Sequence, residues 1–96
     1  MSTPVLSIIT VCFNACNELQ NTVKNVLAQE WTNFEYLVID GASTDDTVSF
    51  LEQSTTLFAE KEIPFHFISE KDHGIYDAMN KGIRIASGDW LLFLNA

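Results

Sequence analysis

The chain has 96 residues and a mass of 10.8 kDa, which allows one small domain or part of a larger one. A formal net charge of −8 excludes a basic surface that could neutralise nucleic-acid phosphates, so we expect no nucleic-acid partner. With 47% hydrophobic and 19% charged residues the chain is too apolar to be disordered. It also lacks a secretory signal and any apolar run near the ~20 residues of a membrane-spanning helix, so we expect a cytoplasmic protein.

Four short apolar runs alternate with three helical patterns along the chain. The runs are rich in Val, Ile, Leu and Phe, as in strands buried on both faces, and cover residues 5–12, 34–40, 65–69 and 90–95. Helices are predicted at residues 17–30, from a polar start at 43–46 to about residue 58, and at 75–87. In the last helix we predict that Met79, Ile83 and Ala86 form the apolar side and that Gly88 is the C-cap.

The order β-α-β-α-β-α-β predicts an α/β protein with a Rossmann-like parallel sheet and right-handed crossovers. Parallel strands need such crossover connections, because the chain must return to the end of the sheet at which the previous strand began. In these sheets ligands bind beyond the carboxyl ends of the strands, where the strand order reverses. The candidate functional residues are therefore those that directly follow each strand.

The turn after the first strand contains no glycine, so the dinucleotide fingerprint is absent, and no Walker-type loop occurs in the chain. Phe13 could stack on a base, and Asn14 could hydrogen-bond either the turn or a ligand. The competing interpretation is that Phe13 packs in the core and that Asn14 only closes the turn. Cys12 and Cys16 are interpreted as small reduced thiols, because their spacing is not that of a zinc site.

The turns after the second and third strands carry charged groups. Asp40 leaves a buried strand and could accept a hydrogen bond from the imide N–H of uracil or from a ribose hydroxyl, and a structural role in the turn is its alternative. Gly41 is interpreted as permitting an unusual backbone angle. After the third strand, Lys71 and His73 could contact a phosphate. The competing interpretation there is a solvated loop capped by Asp72.

Taken together, these segments resemble the GT-A-type, family-two glycosyltransferases over essentially the whole chain. In that family an opening strand ends in an aromatic-Asn pair, and an Asp-x-x-Ser-x-Asp turn, a Gly-x-x-x-Ala-x-Asn-x-Gly helix and a metal-binding Asp-x-Asp element follow. The similar segments here are SIITVCFN (7–14), LAQEW (27–31), FEYLVIDGASTD (34–45), GIYDAMNKGI (74–83) and GDWLLFLNA (88–96). Their order and their places at the strand ends make the resemblance specific.

The resemblance implies the N-terminal half of a GT-A fold, so residues 1–96 are interpreted as a truncated nucleotide-sugar-binding subdomain. It implies nucleotide-binding roles, from the base to the sugar-phosphate side, for Phe13, Asn14, Asp40, Gly41, Gly74 and Asn80. It also makes Asn95 a weak metal ligand at the first position of the Asp-x-Asp element, with the remaining ligands expected beyond residue 96. The chain departs from the family pattern where Gly41 and Asn95 each replace an acid and where Met79 replaces an arginine.

In this family a sugar moves with inversion from a nucleotide-sugar donor to an acceptor hydroxyl. A divalent cation, Mn²⁺ or Mg²⁺, offsets the charge on the leaving diphosphate, and a carboxylate base deprotonates the acceptor. The resemblance implies a UDP-linked donor, a glycan or lipid-linked acceptor and peripheral membrane association of a full-length protein. Since the general base is expected beyond residue 96, we expect residues 1–96 alone to be inactive.

Two alternatives come from other classes of protein. A response-regulator-type receiver would need an acidic pair after the first strand to hold magnesium, where this chain has Phe13 and Asn14. The second alternative is a non-catalytic assembly unit. Three helices can hardly cover both faces of a four-stranded sheet, so apolar surface should remain exposed and could promote self-association.

Overall fold

A computed structural model describes residues 4–95. It contains the predicted alternation of strands and helices, in chain order β1 (Leu6–Cys12), α1 (Cys16–Leu27), β2 (Phe34–Asp40), α2 (Thr47–Glu60), β3 (Phe65–Ser69), α3 (Ile75–Ile85) and β4 (Trp90–Phe93). The predicted β-α-β-α-β-α-β order is therefore confirmed. Among the element ends, α1 stops three residues earlier than predicted, and α3 and β4 each stop two residues earlier.

The four strands form one parallel sheet in the order β3-β2-β1-β4. The chain adds β2 and β3 on one side of β1 and then returns to place β4 on the other side, so the strand order reverses beside β1. The register aligns Cys12 with Asp40 and Asp40 with Ser69, which brings the last residues of three strands to one edge. This carboxyl edge is where a ligand is expected in an open parallel sheet.

The helices cover the two faces of the sheet unequally. Alternate residues of each strand point to opposite faces, so β2 directs Tyr36 to one face and Leu37 to the other. The first face packs against α1 and α2, and its buried core includes Ile8, Leu19, Val23, Val26, Phe34, Tyr36, Val38, Leu51 and Phe58. In the described part of the chain, the second face packs against α3, through Ile9, Leu37, Ile39 and Ala78.

The apolar side predicted for α3 is wrong at Ile83, whereas Ala86 packs against the core as predicted. The helix buries Ala78 and Gly82, whereas Ile83 is 45% exposed and Met79 only partly buried. A side-chain carbon on Gly82 would lie 2.7 Å from Cγ2 of the buried Ile9, so the helix approaches the sheet more closely than any larger residue would allow. The small residues, and not the large apolar ones, mark the packed face of this helix.

Gly88 is not the C-cap of α3, because the helix ends at Ile85 and its cap is Ala86. Gly88 lies against the start of β1 instead, where an added side-chain carbon would be 2.7 Å from the backbone nitrogen of Ser7. Its N–H donates to Oγ of Ser7 at 2.8 Å. Glycine is required at this position for close approach of two backbone segments.

Glu35 is a buried acid in the middle of an apolar strand, with 4% of its surface exposed. Its Oε2 accepts hydrogen bonds from Oγ of Ser7 and from the N–H of Ser87, both at 2.6 Å. Burial acts to raise the pKa of Glu35, but these hydrogen bonds outweigh it and hold the pKa below its ordinary value. Glu35 therefore joins β1, β2 and the connection from α3 to β4.

The strand β4 lies at an open edge of the sheet and is poorly covered. Trp90, Leu91 and Leu92 are 70%, 42% and 43% exposed. The expected exposed apolar surface is thus present along β4, while self-association through it remains a prediction. No helix within residues 4–95 has the length and apolarity needed to cross a bilayer.

Candidate functional site

A groove of about 340 Å³ opens at the carboxyl edge, between the end of β1 and the start of α3. It is lined by Val11, Cys12, Phe13, Asp72, Gly74, Ile75 and Ala78. Two of the predicted site residues, Phe13 and Gly74, therefore line one cavity, although 60 residues of chain separate them. We call this cavity the strand-end groove.

Asp40 is fully buried at the base of this edge, and its carboxylate accepts four hydrogen bonds. Oδ2 accepts from the N–H of Ser43 at 2.9 Å and from Oγ of Ser69 at 2.8 Å. Oδ1 accepts from Oγ of Ser43 at 2.5 Å and from the thiol of Cys12 at 3.4 Å. Asp40 thus joins the ends of three strands, and its contact with a base or ribose remains a prediction.

Cys12 is a protonated donor within this arrangement. Burial and the neighbouring charge of Asp40 both raise the pKa of the Cys12 thiol well above its ordinary value. Both cysteines are free, in agreement with the interpretation of small reduced thiols. Cys12 therefore contributes a hydrogen bond to Asp40 and no nucleophile at neutral pH.

Asn14 links the first two turns. Its N–H donates to Oγ of Ser43 at 2.8 Å, and its side-chain Oδ1 accepts from the N–H of Thr44 at 2.8 Å. The residue has a φ of +47°, a region that Asn tolerates better than most side chains because it can hydrogen-bond locally. The structure thus gives Asn14 the turn-closing role, and its exposed position leaves a ligand contact as a prediction.

The unusual backbone angle of the second turn is at Ala42 and not at Gly41, where it was predicted. Ala42 has a φ of +64°, which costs an L-residue roughly 1–2 kcal/mol. Gly41 is needed for space instead. A side-chain carbon there would lie 2.9 Å from Oδ2 of Asp72 and 3.5 Å from Cδ1 of Phe13.

Phe13 does not pack in the core. Its side chain is 60% exposed at the mouth of the strand-end groove. An exposed aromatic ring beside a cavity is a surface on which a planar base can stack. The geometry therefore agrees with the stacking interpretation of Phe13 and removes its structural alternative.

The third turn is held by charged groups that the sequence interpretation did not single out. Lys81 lies on α3 with a side chain only 13% exposed, and its Nζ is 3.2 Å from Oε1 of Glu70 and 3.7 Å from Oδ2 of Asp77. It also donates to the carbonyl oxygen of Lys71 at 3.1 Å. The spacing of Asp77 and Lys81 by four residues was the available signal.

Asp72 and Gly74 form the wall of the groove on this side. Oδ1 of Asp72 accepts from the N–H of Gly74 at 3.1 Å, which closes a turn just before α3. The N-cap of α3 is Gly74, so Asp72 holds the turn and does not itself cap the helix. Gly74 has a φ of +115° and directly precedes α3, with open space where a side chain would project. A phosphate or sugar could approach the backbone closely here. Lys71 and His73 are exposed on the same turn, and their phosphate contacts remain predictions.

Asn80 and Asn95 lie away from the strand-end groove. Asn80 is exposed on α3, while Asn95 follows β4 and its backbone carbonyl accepts from Oγ1 of Thr22 at 2.9 Å. Asn95 borders a different, apolar groove of about 440 Å³, beside α1 and β4. Within residues 4–95, no three His, Cys, Asp or Glu side chains are placed to hold a metal ion. The residues present thus do not fit a cation site, and the metal role of Asn95 remains a prediction.

The parallel sheet, the reversal of strand order beside β1 and the groove at its carboxyl edge define a Rossmann-like α/β protein. Residues 7–96 match the sequence profile described as Glycosyl transferase family 2, and the chain belongs to this family. The family match gives no support to the receiver interpretation. The predicted family resemblance is confirmed.

Relatives with this sequence pattern occur in mycobacteria. An uncharacterised glycosyltransferase of Mycobacterium tuberculosis is 47% identical over 96 residues, which are 99% of this chain and 34% of the relative. The PGL/p-HBAD biosynthesis glycosyltransferase of Mycobacterium tuberculosis is 35% identical over 96 residues, or 100% of this chain and 36% of the relative. The chain thus spans about a third of the length of the curated relatives it matches.

Two solved structures share the fold. The mannosyltransferase PcManGT from Pyrobaculum calidifontis, in complex with GDP-Man and Mn²⁺, has a TM-score of 0.85 at 22% identity and covers 98% of this chain and 28% of its own. Residues 1–349 of TarS from S. aureus, in complex with UDP-GlcNAc, have a TM-score of 0.81 at 21% identity, over 94% of this chain and 26% of TarS. The predicted GT-A-type parallel sheet is confirmed.

Proposed function

We propose that this chain binds the donor of a glycosyltransferase, a nucleotide-sugar, in the strand-end groove. The observation that carries the proposal is that the exposed ring of Phe13 and the backbone of Gly74 line one cavity at the carboxyl edge of the sheet. A base would stack on Phe13, and the sugar-phosphate side would extend toward the open backbone at Gly74. The reaction is transfer of the sugar to an acceptor hydroxyl with inversion, as expected from the family pattern.

The known relatives support a nucleotide-sugar as the class of donor. The matched mycobacterial proteins are named glycosyltransferases, and the two similar structures contain GDP-Man and UDP-GlcNAc. For this chain we propose a UDP-linked donor and a glycan or lipid-linked acceptor. A cytoplasmic location with peripheral membrane association would suit such an acceptor and remains part of the proposal.

A divalent cation is supported by a similar structure but not by the ligating side chains of residues 4–95. Mn²⁺ accompanies GDP-Man in the mannosyltransferase complex, whereas the described part of this chain offers no group of three ligating side chains. We therefore assign no step to a cation held by these residues. Lys71 and His73, which are exposed on the third turn beside Gly74, are the groups that we propose for contact with the phosphate.

None of the carboxylates of the site is assigned as the base that deprotonates the acceptor. Asp40 is buried with all four lone-pair positions of its carboxylate in use, and Asp77 is engaged with Lys81 and His73. Asp45 accepts from the N–H groups of Thr47 and Cys16, and the hydrogen bonds from Thr47 keep its pKa below the ordinary value. Because the family pattern places the base beyond residue 96, we propose that residues 1–96 bind the donor but do not transfer the sugar by themselves.

Titration with UDP tests the proposal most directly. Amide shifts in a ¹H–¹⁵N NMR spectrum should be concentrated around Phe13, residues 40–44 and residues 72–75 at millimolar UDP. Phe13→Ala should weaken binding because the stacking surface is lost, whereas Leu57→Ala, which removes an exposed apolar side chain on α2, should leave it unchanged. Shifts scattered over the surface, or no shifts, would contradict donor binding.

A donor-consumption assay tests the second part of the proposal. UDP- and GDP-sugars are incubated with residues 1–96, with and without Mn²⁺, and hydrolysis and transfer are followed separately. We expect no transfer. Robust turnover by this chain would show that the catalytic base lies among the carboxylates dismissed above.

A further inference from the structure

We propose that Asp72 selects the nucleobase by accepting a hydrogen bond from the ring N–H of uracil or guanine. The inference rests on the proposed donor binding and names the residue that reads the base within that site. The sequence pattern assigned this role to Asp40 and gave Asp72 only a capping role. The hydrogen bonds of the two carboxylates favour the opposite assignment.

Asp40 has no free acceptor to offer. The side chain is 0% exposed, and Ser43, Ser69 and Cys12 together supply four hydrogen bonds to its two oxygens. A carboxylate has about four lone-pair positions, so a base would have to displace one of these buried partners. Displacement would leave a buried donor without a partner, which is costly.

Asp72, unlike Asp40, has a carboxylate oxygen that can still accept a hydrogen bond. Its Oδ1 accepts from the N–H of Gly74, which fixes the orientation of the carboxylate, while Oδ2 receives no hydrogen bond from any residue between 4 and 95. The side chain lines the strand-end groove together with Phe13. The residue is thus anchored through one oxygen and open through the other.

The open oxygen of Asp72 and the aromatic ring of Phe13 both lie close to Gly41. A carbon placed on Gly41 would be 2.9 Å from Oδ2 of Asp72 and 3.5 Å from Cδ1 of Phe13. A base stacked on Phe13 would therefore lie near Oδ2, within reach of a hydrogen bond from its ring N–H. The glycine at position 41 keeps this space free, which gives a reason for the absence of a larger residue there.

A carboxylate oxygen accepts hydrogen bonds and donates none. Uracil has an N–H at ring position 3 and guanine has one at ring position 1, so both can donate to Oδ2. Cytosine and adenine have an unprotonated nitrogen at the corresponding ring position, and its lone pair would face the carboxylate. The arrangement therefore favours uracil or guanine nucleotides over cytosine or adenine nucleotides.

The experiment compares UDP with CDP on the full 96-residue chain by isothermal titration calorimetry, with GDP and ADP as a second pair. We expect UDP to bind about ten- to a hundredfold more tightly than CDP, the range given by a hydrogen bond to a charged group. UDP methylated at N3 of uracil lacks the donor and should bind as weakly as CDP. This ligand tests the need for the N–H without altering the protein.

Two variants then test whether Asp72 supplies the acceptor. Asp72→Asn retains an oxygen for the N–H of Gly74 and presents an amide donor to the base, so the UDP preference should vanish or reverse toward CDP. Gly41→Ala should reduce the preference by displacing Oδ2, although residue 41 itself does not contact the base in this arrangement. Asp89→Asn, an exposed residue just before β4 at the opposite edge of the sheet, is the matched control and should retain the preference.

The outcomes separate this inference from the proposed function. If no nucleotide binds, donor binding fails and the inference fails with it. If UDP and CDP bind equally, or if folded Asp72→Asn and Gly41→Ala both keep the original preference, donor binding stands and the role of Asp72 is overturned. Circular dichroism of each variant establishes that it is folded.

Discussion

Replacing Glu35 by Gln tests whether a buried charge stabilises this fold. Oε2 of Glu35 accepts from Ser7 and Ser87 at 2.6 Å each, and Ser7 in turn accepts from Gly88 at 2.8 Å. A hydrogen bond to a charged group contributes about 1.5–3 kcal/mol and a neutral one about 0.5–1.5 kcal/mol. Since Gln can keep both bonds in neutral form, we expect a loss of about 2 kcal/mol from the free energy of unfolding at pH 7.

The stabilisation by Glu35 should decrease as the pH is lowered. The native pKa of Glu35 is below its ordinary value of 4.5, so the unfolded chain binds a proton more readily than the folded one. The stabilisation is therefore present above about pH 4.5 and is lost as the pH falls through the native pKa. Because Gln does not titrate, the difference between the two proteins should shrink in the same interval.

Urea unfolding followed by far-ultraviolet circular dichroism measures these changes. Tryptophan fluorescence is less suitable, because Trp31 and Trp90 are 54% and 70% exposed in the folded chain. Glu52→Gln, at an exposed position of α2, is the control and should change stability by less than about 0.5 kcal/mol. Equal stability of Glu35→Gln and the parent at pH 7, or a difference that persists unchanged at pH 3.5, would refute the reasoning.

Three further predictions concern the backbone, the packing and the association of the chain. Ala42→Gly should raise the free energy of unfolding by about 0.5–1 kcal/mol in urea titrations, because glycine relieves the positive φ; a lower stability would contradict this account of the turn. Gly82→Ala should lower the free energy of unfolding by about 1–3 kcal/mol, because the added carbon would contact Ile9, whereas Ile83→Ala should lower it by less than about 1 kcal/mol. A larger loss for Ile83→Ala than for Gly82→Ala would support the apolar face that was predicted from sequence. The exposed strand β4 should make the chain elute as a species larger than a monomer in size-exclusion chromatography with light scattering, and Leu91→Lys should reduce that species; a clean monomer at high concentration would show that the fold covers itself.

The strands and their order along the chain could be predicted, because each strand is a nearly unbroken apolar run and a parallel sheet buries both faces of its strands. The packed face of α3 could not be predicted in the same way. Large apolar residues were taken as the mark of burial, whereas the helix packs through Ala78 and Gly82. Such contacts depend on how closely the helix backbone approaches the sheet, and the spacing of hydrophobic residues in the sequence does not report that distance.

The convergence of the turns that follow the strands was predicted, but the hydrogen bonds within them were not. The turns after the strands do converge, with Phe13 and Gly74 in one groove. The sequence could not tell that Asp40 would be enclosed by Ser43, Ser69 and Cys12, because those partners lie in different turns. Nor could it show that the strained residue would be Ala42, since glycine is the usual occupant of such an angle.

β1 lies between β2 and β4 in the sheet, so it pairs with one strand that is synthesised soon after it and with another that is synthesised much later. β1 is synthesised before β4, yet Leu6 pairs with Trp90, which lies far along the sequence from it. At about 5–20 residues per second, roughly 5–15 seconds separate the synthesis of these two partners. During this interval one edge of β1 has exposed N–H and C=O groups that no later segment has yet covered. Such distant pairing raises the contact order of the chain, so formation of the β1–β4 ladder should be among the slow steps of its folding.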